Sequence, residues 1–401
     1  MASLDTQDAP ARLPGELILE VARHALREYS WGGTDFATTR ALSSTCRLTR
    51  DVAQAEIFEG MTVCLVYPGR AAKKLEAIEG SCRLASFVRI VTVDDHPDYG
   101  SDEEPHPPSF DELERVLATC HAVDHVHALY LHETLVSPVL VRLSTANFAP
   151  RLTRLELSAH NKSVGYGFPP PPALPTFSSF LATLSTFASL TFLDLGIPSQ
   201  IPQCTSEEAA HYNSDPFAPE PTQTDPEAQF CDAGGANART ALSPSLRELH
   251  LSYNGLEDFG ALQLLHTLRH SPIRRLCIWR RGYTPREMAW YELLALRGTF
   301  FSLSRLEKLA LDGNKIGCRD GPAADAAYSL IANLPASLRD AHFGVLLFPS
   351  SHLEEGSRMQ ALLAEEKKEN LDCVRVGLLG GGGAALTWEG SAGEWHAEFN
   401  Y

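Results

Sequence analysis

The chain repeats an apolar pattern in which hydrophobic residues take the first, fourth and sixth positions, as in L-x-x-L-x-L. Two copies are long enough to be specific: residues 246–256 read LRELHLSYNGL and residues 306–316 read LEKLALDGNKI. Each copy also has an apolar residue at its last position and Asn two places earlier. Because the fourth and sixth positions are two residues apart, their side chains lie on one side of an extended strand. Each copy therefore predicts a strand.

Seven weaker copies extend the pattern along the chain. They begin at Val88, Val126, Leu152, Leu190, Ile273, Leu338 and Leu371. Successive copies start 38, 26, 38, 56, 27, 33, 32 and 33 residues apart, which leaves room for a strand and a helix in each unit. We expect an α/β solenoid over residues 61–401, with a curved parallel sheet inside and helices outside, because neither element buries its apolar face alone.

The segments between copies favour helices joined to the strands by turns. Apolar residues recur at helical spacing in 256–269, 286–297 and 325–334. Asn254 and Asn314 occupy the place where the chain leaves the strand. We expect their amides to satisfy backbone groups of the turn, so both are predicted to be structural.

Two acidic, proline-rich segments interrupt the units near 94–108 and 198–240. Their low apolar content cannot bury enough surface to offset the cost of ordering them, so we expect mobile insertions that are dispensable to the fold. Deletion of residues 199–240 is then expected to leave thermal stability nearly unchanged. A regulated or partner-binding loop is the alternative interpretation of either segment.

Composition narrows the classes of function. Lys and Arg number 34 against 50 Asp and Glu, giving a formal net charge of −16 that disfavours nucleic acid and anionic membranes as partners. No apolar run approaches the ~18 residues of a spanning helix, and the first residues lack the pattern of a secretory signal. Nine cysteines without a C-x-x-C pair favour a reducing compartment. We therefore expect a soluble protein of the cytoplasm or nucleus.

The sequence gives little support to an enzyme. The motifs G-x-x-x-x-G-K-[ST], G-x-S-x-G and H-E-x-x-H do not occur, so no catalytic residue and no cofactor is predicted. Four histidines close to Asp124 could offer zinc ligands: His121, His125, His127 and His132. A helix is expected to end near His121 and a strand to follow, which would scatter the four, so no metal site is predicted.

A separate helical module precedes the repeats. Residues 1–12 are expected to be flexible. Residues 13–58 are expected to form three short helices, and this module begins with L-P-x-E-L. Pro14 suits the first turn of a helix. The module continues with L-x-x-x-C-R at 42–47, a basic residue and a closing aromatic. A helical cap on the first repeat would share much of this pattern.

These motifs resemble those of the F-box proteins, in a divergent form of the fungal type. The matching residues, in order, are Leu13, Pro14, Glu16, Leu17, Leu42, Cys46, Arg47, Arg50 and Phe58. A box followed by repeats resembles the F-box/leucine-rich-repeat proteins, whose units are similar to those of ribonuclease inhibitor. The resemblance implies a substrate-recognition subunit of a Skp-cullin-F-box ubiquitin ligase, non-catalytic by itself, whose repeats select a protein for ubiquitin-dependent degradation.

The resemblance also implies where partners bind. Residues expected to contact the Skp-type adaptor are Leu13, Pro14, Glu16, Leu17, Val21, Leu42, Cys46, Arg50 and Phe58. The alternative is a leucine-rich-repeat scaffold for protein–protein interaction with no link to ubiquitin, whose N-terminal helices only cap the repeats.

Alignment of the units that begin at Leu246, Ile273 and Leu306 predicts which outward side chains are neighbours. The three columns are Glu248, Arg275 and Lys308; His250, Cys277 and Ala310; and Ser252, Trp279 and Asp312. From them we predict a substrate-binding set of Glu248, His250, Arg275, Trp279, Lys308 and Asp312. Trp279, followed by two arginines, has the character of an interface anchor beside a positive patch for an acidic partner. Alternatively, Trp279 shields the sheet.

Overall fold

The structure is a computed structural model. It describes residues 47–69, 71–95, 106–160, 176–197, 244–252, 264, 271–279, 286–287, 303–311, 314–316, 334–346, 371–378, 383–389 and 394–400. Several predictions from the sequence fall outside these residues. They concern 1–46 of the N-terminal region, most of both acidic segments, Asn254 and Asp312.

The described strands form one open sheet. In chain order they are β1 Gly60–Cys64, β2 Ile90–Asp94, β3 His125–His132, β4 Arg154–His160, β5 Phe192–Gly196, β6 Glu248–Ser252, β7 Arg275–Trp279, β8 Arg286–Glu287, β9 Lys308–Ala310, β10 Asn314–Ile316, β11 Asp340–Leu346, β12 Cys373–Leu378, β13 Gly383–Glu389 and β14 Glu394–Asn400. Ten of them run parallel as neighbours, from β1 to β7 and then β9, β11 and β12. The α/β class and the parallel sheet expected from the repeats are confirmed.

The strands are in register at the same position of every unit. The fourth-position residues pair in the order Met61, Val91, Val126, Leu155, Leu193, Leu249, Leu276, Leu309, Ala341 and Val374. All are buried, because this column faces the core. Every copy of the pattern found in the sequence thus contributes a strand.

The unit predicted to begin at Val126 begins three residues earlier. Val126 pairs with Val91 and Leu155, so it is the fourth residue of its unit, and the buried Val123 is the first. The intervals from Val88 to Val123 and from Val123 to Leu152 are therefore 35 and 29 residues. The apolar residues of V-H-A-L-Y-L misled the alignment because a bulge between Ala128 and Leu131 interrupts the alternation.

Eight of the parallel strands begin with the same backbone hydrogen bonds. The carbonyl of Arg89 accepts from the backbone N–H groups of Asp124 and His125, at 3.0 and 3.1 Å, in the next unit. The same two-donor arrangement recurs at the carbonyls of Asp124, Thr153, Thr191, Arg247, Arg274, Glu307 and Arg339. This shared geometry fixes the register locally, so the units keep their alignment although the intervals between them differ.

Six helices are described: α1 Arg47–Glu59, α2 Ala72–Glu79, α3 Cys82–Ala85, α4 Asp111–Thr119, α5 Glu133–Thr145 and α6 Phe177–Ser185. Their apolar residues, such as Leu113, Val139 and Phe180, join the core-facing strand residues in one hydrophobic cluster. Burial of both layers is what holds helices to sheet. The alternate strand positions face away from this cluster, and we call that side of the sheet the open face. None of the helices in this part of the chain is long and apolar enough to cross a membrane.

Two predicted local structures need correction. Arg286 and Glu287, expected to start a helix, form β8 and pair with β10. Asn314, expected in the turn after a strand, lies in β10 itself, where its neighbour Lys315 also pairs with Val345. The chain is extended at this position because the backbone of β10 pairs with β8 and β11.

The two ends of the sheet differ from the pattern of the units. At one end, Phe58, Met61 and Val63 repeat the 1, 4, 6 spacing, so the last residues of α1 and β1 form a further unit before the first copy found in the sequence. At the other end, β13 and β14 form an antiparallel hairpin, with Trp388 opposite Trp395. β13 also runs antiparallel to β12, with Leu386 opposite Val374. α1 ends at Glu59 and β1 follows at once, from Gly60.

Candidate functional site

The open face brings together most of the side chains predicted to bind a substrate. Glu248 pairs in register with Arg275, and Arg275 with Lys308, as the aligned columns predict. His250 lies opposite Cys277, and Ser252 opposite Trp279. Asp312 lies outside the described residues.

The prediction that Ser252 is an accessible outward side chain needs correction. Strand alternation places it on the open face, yet its exposed fraction is 0%. Its hydroxyl has no hydrogen-bond partner within the described part of the chain. Alternation predicts the direction of a side chain but not what covers it, so Ser252 does not belong to an accessible surface.

A network of ion pairs begins on β3 and β4. The Glu156 carboxylate accepts from Arg154 at 2.6 Å through one oxygen, and its other oxygen lies 2.9 Å from Nδ1 of His127. Burial by itself raises the pKa of Glu156, but the hydrogen bonds and charges of His127 and Arg154 outweigh it, so the pKa lies below its ordinary value. Glu156 is therefore a carboxylate at neutral pH.

An aromatic ring continues the network onto β5. The guanidinium carbon of Arg154 lies 3.8 Å from the centroid of the Phe192 ring, in cation–π geometry. On the other side, the His250 ring meets Phe192 edge to face at 4.9 Å between centroids. Phe192 is almost fully buried between these neighbours although it lies on the open face.

The network ends on β6 and β7. Nε2 of His250 lies 3.0 Å from Glu248, and Nδ1 of the same ring lies 3.8 Å from Asp194. The other oxygen of Glu248 lies 3.6 Å from Arg275. Contacts thus run without a break across five neighbouring strands, from His127 to Arg275, and hold the polar side chains in place before any partner binds.

The last residue of this network, Arg275, and the strands beyond it present cations. Arg275 is 56% exposed, and Lys308 beside it is exposed as well. On β12, Arg375 is 58% exposed and lies 3.6 Å from Asp340. Ion pairs of this length with an exposed cation are weak, so these cations remain accessible to a partner.

Reasoning from the sequence missed the part of the network on β3 to β5. The missed residues are His127, Arg154, Glu156, Phe192 and Asp194. Arg154, Glu156, Phe192 and Asp194 occupy the same outward positions as the predicted columns, so aligning all the units, and not only the last three, would have found them. His127 would have been missed even then, because its unit begins three residues before Val126. The side-chain contacts between strands had no signal in the sequence.

Three of the four histidines considered as zinc ligands have other partners. As predicted, α4 ends before His121 and β3 follows. His125 pairs with Asp124 at 2.9 Å, and the His132 ring accepts from the backbone N–H of Thr134, capping α5. In the described ranges no group of three or more His, Cys, Asp or Glu residues could hold a metal ion.

Of the residues predicted to bind an adaptor, only Arg50 and Phe58 are described. Arg50 is exposed on α1. Phe58 packs partly against the hydrophobic core, with Nζ of Lys74 5.7 Å from its ring centroid. Phe58 therefore contributes to the packing of the sheet, and its contact with an adaptor stays a prediction. The others, Leu13, Pro14, Glu16, Leu17, Val21, Leu42 and Cys46, lie outside the described residues.

The open face is suited to recognition of a polar surface. Its carboxylates, imidazoles and guanidinium groups are held by neighbouring strands around a buried aromatic ring, and the cations at one side are free to pair with a ligand. Comparison of the chain with protein-family models and with curated proteins finds no match.

Proposed function

We propose that the chain is a substrate-recognition subunit of a Skp-cullin-F-box ubiquitin ligase, built as an F-box/leucine-rich-repeat protein. In this proposal residues 13–46 and the exposed side of α1 bind the Skp-type adaptor, and the open face binds the protein to be ubiquitinated. The chain itself is non-catalytic, since the ligase transfers ubiquitin through its other subunits.

The observation that carries the binding part of the proposal is the side-chain network from His127 to Arg275. It joins residues from five units that lie far apart in the sequence, and none of its contacts is needed to build the core on the opposite side of the sheet. A preorganised polar surface of this kind loses little side-chain entropy on binding.

The regular units support the leucine-rich-repeat part of the proposal. Each L-x-x-L-x-L segment forms one short parallel strand in register with its neighbours. In repeat proteins such a sheet provides an extended surface for a protein partner.

One observation favours a second function, a repeat scaffold without a link to ubiquitin. Phe58 packs on the core, and Asp51 of α1 pairs with Arg83 of α3, so α1 covers the first strand as a capping helix would. A helix that only caps the sheet would need no adaptor.

Co-purification with a Skp-type adaptor separates the two functions. We expect the full chain to retain the adaptor, and the double variant L13A/P14A to lose it, because a few apolar anchors carry most of the energy of such helical interfaces. The variant Val141→Ala is a matched control, since Val141 is an exposed apolar residue on α5, away from the N-terminal module.

The pulldown has a clear negative outcome. Failure of the wild-type chain to bind the adaptor, or unchanged binding by L13A/P14A, would favour the scaffold. Circular dichroism of the double variant must show an intact fold, because loss of binding through unfolding is not a test of the interface.

A further inference from the structure

We infer that the partner segment bound by the open face is acidic and lies across β7, β9, β11 and β12, with carboxylates on Arg275, Lys308 and Arg375. This inference rests on the proposed function of the open face and names the chemistry of its partner. It concerns a short segment of a protein, and not a nucleic acid.

Charge is distributed unevenly over the open face. On β1 to β6 its ionised residues are Asp94, Arg154, Glu156, Asp194 and Glu248, one cation against four anions. On β7, β9, β11 and β12 they are Arg275, Lys308, Arg375 and Asp340, three cations against one anion. A local excess of cations in a chain of net charge −16 is the feature that selects an acidic partner.

The two sides also differ in what their charges already contact. Glu156 and Glu248 are mostly buried. Glu156 accepts from Arg154 and lies beside His127, and Glu248 lies beside His250, so the oxygens of both are engaged within the network. Arg275 and Arg375 are more than half exposed, and their only ion pairs among described residues are the 3.6 Å contacts with Glu248 and Asp340. Lys308 forms no ion pair with any described residue. The cations are therefore the groups left for a ligand.

Register sets the spacing of the carboxylates. Arg275 and Lys308 are neighbours, so about 5 Å separates their positions and one carboxylate can contact both. Arg375 is two strands and two residues away from Lys308, which places it about 12 Å from that position. An extended peptide spans roughly 13 Å between residues i and i+4. We expect acidic residues about four apart.

The overall charge argues against a polyanion. The field of a strongly acidic protein repels a long chain of phosphates, whereas a few carboxylates reach the local cations at short range, where screening by salt is weakest. A short acidic protein segment fits the patch better than DNA or RNA does.

Selection of displayed random peptides on the purified full chain tests the inference. We expect the wild type to enrich peptides with Asp or Glu about four residues apart, and salt to weaken their binding. The variant R275E/K308E should bind the selected peptides about tenfold more weakly and should itself enrich Lys and Arg. R274E is the matched control: Arg274 is as exposed, at 55%, but precedes β7 and pairs with Glu307, off the open face.

Each outcome decides the inference. Acidic enrichment that is lost in R275E/K308E and kept in R274E supports it. Enrichment of neutral or basic peptides, equal binding by the reversed variant, or no selected peptide overturns it. The proposed function is tested separately, by the adaptor pulldown and by cross-linking of a captured substrate to β3–β7. If that cross-linking succeeds and acidic selection fails, only the inference is wrong.

Discussion

Single side chains on the open face owe their orientation to residues of neighbouring strands. Arg154 is held by Glu156 on its own strand and by Phe192 on the next, while His250 is held by Glu248 and Phe192. The same scale shows what burial does to reactive groups, because buried thiols lose access to water and to reagents.

Cysteine reactivity follows from this burial. Burial, with the neighbouring Asp94 carboxylate, raises the pKa of Cys64 to about 12, and burial raises the pKa of Cys120 to about 11. Both thiols stay protonated in the folded chain, so we expect iodoacetamide to modify the exposed Cys82 first and these two only after unfolding. Peptide mapping by mass spectrometry measures the order. Modification of Cys120 as fast as Cys82 in the native protein would contradict it.

Glu156 should make stability depend on pH. Its folded pKa lies below the ordinary value of 4.5, so its stabilising contribution is complete above that value and is lost as the pH falls through the folded pKa. We expect Glu156→Gln to lower the free energy of unfolding by about 1–2 kcal/mol at neutral pH, and by progressively less below pH 4.5. Urea unfolding at several pH values gives the comparison.

Glu114 provides the control for this prediction. It also pairs with an arginine, Arg142, at 3.1 Å, but its side chain is 58% exposed and water screens the pair. Glu114→Gln should change stability little at any pH. An equal loss in the two variants would show that the network around Glu156 adds nothing beyond a surface ion pair.

At the scale of elements, the two faces of a strand have different roles: one face packs in the core, and the other is the face proposed to bind a partner. In β6, Leu249 and Leu251 face the core and Glu248 and His250 face the open side. We expect Leu249→Ala to cost about 2–5 kcal/mol, because it leaves a cavity between sheet and helices. His250→Ala should cost less than about 1 kcal/mol and weaken partner binding. Thermal unfolding together with peptide binding separates the two effects, and a large loss of stability in His250→Ala would contradict the division.

At the scale of the whole molecule, the continuous sheet limits what can be removed from residues 198–240. β5 and β6 are parallel neighbours, so the chain between them must cross from one end of the sheet to the other, which takes a dozen or more residues. Deletion of 199–240 would leave nine residues between Gly196 and Glu248. The expectation that this whole segment is dispensable therefore needs correction.

A shorter deletion keeps the crossover. Removing residues 206–231 shortens the interval from Leu190 to Leu246 from 56 to 30 residues, within the range of the other units. We expect the midpoint of thermal unfolding to stay within about two degrees of the wild type, since loop length changes stability only slowly. Differential scanning calorimetry measures it. A fall of many degrees would show that the removed residues pack on the sheet.

The amino-acid sequence by itself determined nine of the parallel strands and their relative register. Apolar residues at the fourth and sixth positions must share one core, and this requirement aligns neighbouring units and sets the columns of Glu248, Arg275 and Lys308. The pattern is local and has a period of two within each strand, which is why it can be found without the structure. Its failure at Val126 came from a bulge, which breaks that period.

Only the tertiary structure decided which side chains touch. Arg154 and Phe192 are 38 residues apart in the sequence, and Phe192 and His250 are 58 apart. Their contacts therefore depend on strand pairing and on the rotamers that the neighbouring side chains allow. The same holds for the burial of Ser252, the packing of Phe58 and the antiparallel hairpin at the end of the sheet. Each depends on neighbours that are distant in sequence, and a local pattern carries no record of them.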